Sequence, residues 1–162
     1  MTKGMISQTF VFIFALILMA LILGFGIKSL TDLRTVSDDV ELATFVNRIE
    51  DKVEIFSNFD VGSSEDMTLF LPSKIERVCF YNPGETITVS GIDSFFLAVL
   101  QNSNQDNVFF TPFTNLAKPD YYIASLRAGG DNPLCFASLG KVTFTLTTIL
   151  LNENIYVEVT RV

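Results

Sequence analysis

From Gly4 to Ile27 the chain runs for 24 residues without a charge, and Lys28 ends the run. About 20 apolar residues, at roughly 1.5 Å each, cross a hydrocarbon core about 30 Å thick, and only a helix satisfies its own backbone groups there. The first element is therefore expected to be a transmembrane helix over residues 5–27, which makes the membrane the first partner.

The remaining residues are enough for one modest domain. The formal charge of -7 is spread along the chain: four basic and seven acidic residues lie between Lys28 and Phe59, and six basic and eleven acidic follow from Asp60. No segment forms a basic patch, so a nucleic-acid partner is not expected. Histidine and tryptophan are both absent. The first absence removes the commonest general base and the commonest metal ligand.

A short head carrying Lys3 and ending in Gly4, followed directly by the apolar helix, resembles the class III signal of type IV pilin-like proteins, the archaeal kind especially. The resemblance covers Met1 to about Ile27. It implies cleavage between Gly4 and Met5 by a membrane leader peptidase on the cytoplasmic side. It also implies a retained helix, a globular head outside the cell, and assembly of the helices into a filament. Thr9 stands at the fifth mature position, where many bacterial members carry glutamate. Two simpler readings stay open. Ser7, Gln8 and Thr9 are also residues that begin a helix, through a hydroxyl that accepts an orphan backbone N–H. Gly24-Phe25-Gly26 imitates the cleavage site of an ordinary secretory signal, although the apolar run exceeds the usual 7 to 15 residues or so. Charge alone barely orients the helix, since Lys28 and Arg34 balance Lys3 and the amino terminus.

Neither glycine nor proline occurs from Lys28 to Val61. Apolar residues recur there at Leu30, Leu33, Val36, Val40, Ala43, Val46, Ile49, Val53 and Phe56, with Leu42, Phe45 and Ile55 beside them. Spacings of three and four describe one apolar helical face. The spacing predicts an amphipathic stalk over residues 28–59, continuing the membrane helix from about Thr9 to about Asn58, with Gly24 and Gly26 as the expected bend.

Residues 60–66, Asp-Val-Gly-Ser-Ser-Glu-Asp, read as a linker, and beyond them the period changes to two. Expected strands are Met67 to Leu71, Ile75 to Tyr81, Glu85 to Ser90, Ser94 to Gln101, Asn107 to Phe110, Tyr121 to Leu126, Lys141 to Thr148 and Ile155 to Thr160. Asn82-Pro83-Gly84 and Asn152-Glu153-Asn154 are the expected hairpin turns. The fold class is thus α+β: a long transmembrane and stalk helix, then an antiparallel, sandwich-like β-rich domain over residues 67–162.

Cys79 and Cys135 are the only cysteines, each in an apolar strand-like context. In an oxidising exterior they would pair, closing a loop worth roughly 3 to 4.5 kcal/mol in the chain-entropy model. As free thiols they would serve as small hydrophobes. The bridge is the preferred reading.

No nucleophile elbow, phosphate-cradling glycine loop, metal-spaced cysteine pair or EF-hand loop occurs, so no catalytic residue, metal or cofactor is expected. Asp38-Asp39 and Glu65-Asp66 are adjacent carboxylates that diverge on a helix or meet water in a loop. Phe109, Phe110, Phe113 and Asp120-Tyr121-Tyr122 admit two readings, a partner surface or the filling of a core that has no tryptophan, and the core reading is preferred.

The sequence therefore points to a membrane-anchored, non-enzymatic, pilin-like structural or adhesive subunit. It would self-associate through its helix by close contact at Ala15, Ala20, Gly24 and Gly26. The alternative is a non-polymerising anchored binding module outside the cytoplasm. An anchored hydrolase, or an accessory subunit of a membrane complex, is a third class.

Overall fold

The computed structural model describes residues 3–103, 105–116 and 118–162, with the backbone alone at 3–9, 30–38 and 115. Of the expected leader, Met1 and Thr2 lie outside the described residues, as do the side chains of Met5, Ser7, Gln8 and Thr9. The chain divides into two compact units, Met1–Asp38 and Asp39–Val162.

Helix α1 (Lys3–Phe56) supplies the described part of the first unit and opens the second. It starts before Ser7, so Ser7 to Thr9 lie within helical backbone and do not form its N-cap. It continues as helix through Gly24 and Gly26. It stops after Phe56 because the last carbonyls turn to local partners: Ser57 Oγ and Asn58 Nδ2 both donate to the Glu54 carbonyl, at 2.7 and 2.8 Å.

In the second unit α1 buries Leu42, Phe45, Val46, Ile49, Val53 and Phe56, a stripe with helical spacing. Val40 and Ile55, counted on or beside that face in the sequence, are exposed, and Leu42 and Phe45 lie within it. The side chains of Leu30, Leu33 and Val36 lie outside the described residues.

Two four-stranded sheets complete the unit. The first has the order β1 (Ser64–Phe70), β7 (Lys141–Leu151), β8 (Asn154–Thr160) and β5 (Leu126–Ala128). The second has the order β4 (Asp120–Tyr121), β3 (Val108–Thr111), β2 (Arg77–Phe80) and β6 (Leu134–Ala137). Neighbours are antiparallel except β5 and β8, which run parallel, so the expectation of a purely antiparallel domain is corrected. The β7–β8 hairpin closes over a two-residue turn in which Asn152 and Glu153 have φ of 50° and 67°. Two successive positive φ values match the right-handed twist of the flanking strands.

One core joins α1 to both sheets. Phe45 of α1 meets Phe110 of β3 edge-on at 5.6 Å, and Phe80 of β2 meets Phe144 of β7 at 5.5 Å. Alternation then sends the neighbours Cys79, Tyr81 and Phe109 to the other face of the second sheet, where helix α2 (Ser94–Asn102) covers them with Phe96 and Leu100. Each such aromatic burial contributes about 1.5 to 3 kcal/mol.

Several expected elements differ. Ser94 to Gln101 is helix α2, not a strand, and the Asp93 carboxylate caps it by accepting the Phe96 N–H at 3.3 Å. Glu85 to Ser90 forms no strand: after the turn at Gly84, Thr88 binds Asn132 through its N–H and its hydroxyl, both at 2.8 Å. Tyr121 to Leu126 is interrupted, with Ser125 at φ 62° between β4 and β5. Strand β1 begins at Ser64, inside the segment read as linker, and the second unit takes in part of the expected stalk.

Candidate functional site

The segment Phe10–Ser29 of α1 has a mean hydropathy of 3.0, and none of it is buried. It is long and apolar enough to cross a membrane. At 3.6 residues per turn, the four small residues singled out in the sequence fall on two sides of this helix. Ala20 and Gly24, one turn apart, share one side, while Ala15 and Gly26, about three turns apart, share the opposite one. At Gly24 and Gly26 an added Cβ would meet nothing within 4 Å. Both sides thus offer backbone to a close neighbour.

Cys79 and Cys135 stand directly opposite in the β2–β6 register and are joined by a disulfide. The bridge closes a separation of 56 residues, worth about 4 kcal/mol in the chain-entropy model.

The adjacent carboxylates serve structural partners. Asp39 accepts from Lys74 at 3.3 Å, Glu65 accepts from Lys52 at 2.9 Å, and Asp66 accepts the Thr145 hydroxyl at 2.7 Å. The Asp38 side chain lies outside the described residues. Among the described residues no group of three His, Cys, Asp or Glu side chains is arranged to hold a metal ion.

The most developed polar cluster was not visible in the sequence. Asn82, Asn107 and Asn132 are buried and bind backbone across the loops that link the two sheets. Asn82 accepts the Ala128 N–H at 2.8 Å and donates to the Ala128 carbonyl and to Glu85, at 3.0 and 2.9 Å. Asn107 accepts the Ile123 N–H at 2.8 Å and donates to the carbonyls of Ile123 and Leu126. Asparagines before turns look like turn residues, and nothing local marks them as buried. At the rim Arg127 pairs with Glu85 and lies over the Tyr156 ring at 5.3 Å. The Arg127 hydrogen bond holds the Glu85 carboxyl below its ordinary range, against the smaller upward push of burial.

The aromatic stretch divides cleanly. Phe109 and Phe110 are fully buried on opposite faces of β3, Phe113 packs on the α2 cluster, and Tyr121 packs against the main core. Tyr122 is the exception, 56% exposed. Asp120 pairs with Phe109 in register and so shares its face, the side on which α2 lies. Helix α2, the loop that follows it, and Asp120 of the edge strand β4 with Tyr122 just beyond it form the walls of an open cleft of about 810 Å³. Phe95 and Tyr122 are its aromatic residues, and Asn102, Gln105, Asp106 and Asp120 its planar polar ones. A second cleft shares Gln105 and Tyr122 and leads on to Arg127 and Tyr156.

Comparison of the chain with protein-family models, with characterised proteins and with solved structures finds no match.

Proposed function

We propose that this chain is a membrane-anchored, pilin-like structural or adhesive subunit, non-catalytic, with its β-rich head outside the cytoplasm and its N-terminal helix engaged with copies of itself. The single observation behind this reading is a fully exposed apolar segment, Phe10–Ser29, on a chain whose remainder has its own core and a disulfide. Lipid covers such a segment, and small residues on two opposed sides suit a helix with more than one neighbour. The disulfide favours an oxidising compartment for the head. We read the two sheets, joined through one core with α1, as a sandwich-like head. The leader reading adds removal of Met1 to Gly4 by a membrane peptidase.

The test is intact mass of the membrane-extracted protein together with microscopy of the cell surface. Loss of residues 1–4 and incorporation into filaments are expected. A full-length chain found only as dispersed monomers overturns the subunit reading.

The second reading is an anchored binding module that does not polymerise. The exposed pair Phe95 and Tyr122 beside the cleft favours it.

A further inference from the structure

We infer that the cleft between α2 and β4 is a binding groove for an uncharged oligosaccharide. A sugar ring has an apolar face of C–H groups and a rim of hydroxyls, so a site for it needs aromatic rings open to solvent and planar side chains able to pair with hydroxyls. Both are present. Phe95 is 60% exposed, with its ring edge-on to Phe113 at 5.7 Å, and Tyr122 is 56% exposed. The amides of Asn102 and Gln105 and the carboxylates of Asp106 and Asp120 line the same cleft.

The same lining argues against an anionic ligand. Among the described residues no arginine or lysine lines this cleft, and Arg127 in the adjoining one is paired with Glu85, which leaves an anionic ligand without a free counter-charge. Lys118 lies over the Tyr121 ring at 4.5 Å, and Tyr121 packs against the main core, on the face of β4 opposite Asp120.

The groove is elongated. Tyr122 and Gln105 belong both to this cleft and to the one that continues to Tyr156, so one ring stands between two adjoining compartments. The adjoining compartment is lined by a third aromatic residue, Tyr156, with Arg127 over its ring at 5.3 Å. A ligand of several linked rings fits such a series better than a single small molecule does.

The inference deepens the adhesive side of the function proposed above by naming a ligand class. It stands on the head alone, so binding is measured on the dispersed chain and does not depend on filament formation. The full chain in a zwitterionic, sugar-free detergent is titrated with maltohexaose, cellohexaose, mannohexaose and chitohexaose, with spermidine and a lysine-containing peptide as cationic probes. At least one hexasaccharide is expected to bind. Its affinity should fall about tenfold in Tyr122→Ala and in Phe95→Ala and change little in Tyr122→Phe, since the ring supplies the contact. An unchanged near-UV spectrum establishes that the variants are folded. Failure of all four sugars, or a sugar affinity indifferent to both alanine variants, overturns the proposal. Binding of the cationic probes alone also overturns it, and assigns the two carboxylates to a cation.

Discussion

Asn132 holds Asn82 by both of its backbone polar groups. Its side-chain Oδ1 accepts the Asn82 N–H at 2.9 Å, and its Nδ2 donates to the Asn82 carbonyl at 3.2 Å. Fifty positions separate the two residues. One side chain thus does for the loop after β2 what a neighbouring strand would do for a sheet, and Asn82 repeats the arrangement on Ala128.

Asn132→Ala should therefore be among the most destabilising single changes in the head. It strands two buried backbone groups, each costing about 1 to 3 kcal/mol, so a loss of about 3 kcal/mol is expected. Thermal unfolding of the detergent-solubilised chain, followed by circular dichroism, measures it. A fall below about 1 kcal/mol would mean that water replaces the side chain.

The Glu85–Arg127 pair sets a pH dependence. Because the folded-state pKa of Glu85 is lowered, its contribution is fully present above the ordinary glutamate value of about 4.3 and fades as pH falls through the lowered one. Acidification below about pH 4 should weaken the wild type more than Glu85→Gln, which carries no titrating group there. Identical melting-temperature profiles for the two proteins from pH 5 down to pH 3 or so would show that the pair is silent.

In the β7–β8 turn Glu153 adopts φ 67°, a conformation that costs a residue with a side chain about 1 kcal/mol. Glu153→Gly should remove that strain and give the Asn-Gly pair that such turns favour, raising stability by about 0.5 kcal/mol after the greater chain entropy of glycine is counted. Urea denaturation of the two proteins decides the sign.

The parts of the fold visible in the sequence are those in which local pattern and tertiary role agree. Apolar residues at helical spacing gave α1 its buried face, the unbroken alternation of Val142, Phe144 and Leu146 gave β7, and the matching contexts of the two cysteines gave the bridge. The apolar run Ser-Phe-Phe-Leu-Ala-Val-Leu-Gln could not be assigned by periodicity, being short enough for a strand. Asp93, placed to cap a helix, was the one local signal for α2. Glu85 to Ser90 alternates like a strand, yet its backbone partner is the Asn132 loop, chosen by contacts more than forty positions away. The groove between α2 and β4 was hidden for the same reason, since it depends on the helix and on which face of β4 carries Asp120.

The small residues of the membrane segment give the sharpest test of the proposed assembly. In lipid, large apolar side chains prefer one another no more than they prefer acyl chains, so helix pairing depends on where backbones can approach. Ala20→Leu or Gly24→Leu fills one side of α1, while Ala15→Leu or Gly26→Leu fills the other. Each adds hydrophobicity, so insertion into the membrane should be unaffected. A helix packed in a multi-neighbour filament should lose assembly when either side is filled. A helix that meets one partner only should be sensitive on one side and indifferent on the other. Normal filament yield and length in all four variants, scored by microscopy alongside membrane fractionation, would leave the helix as an anchor and transfer the function to the head.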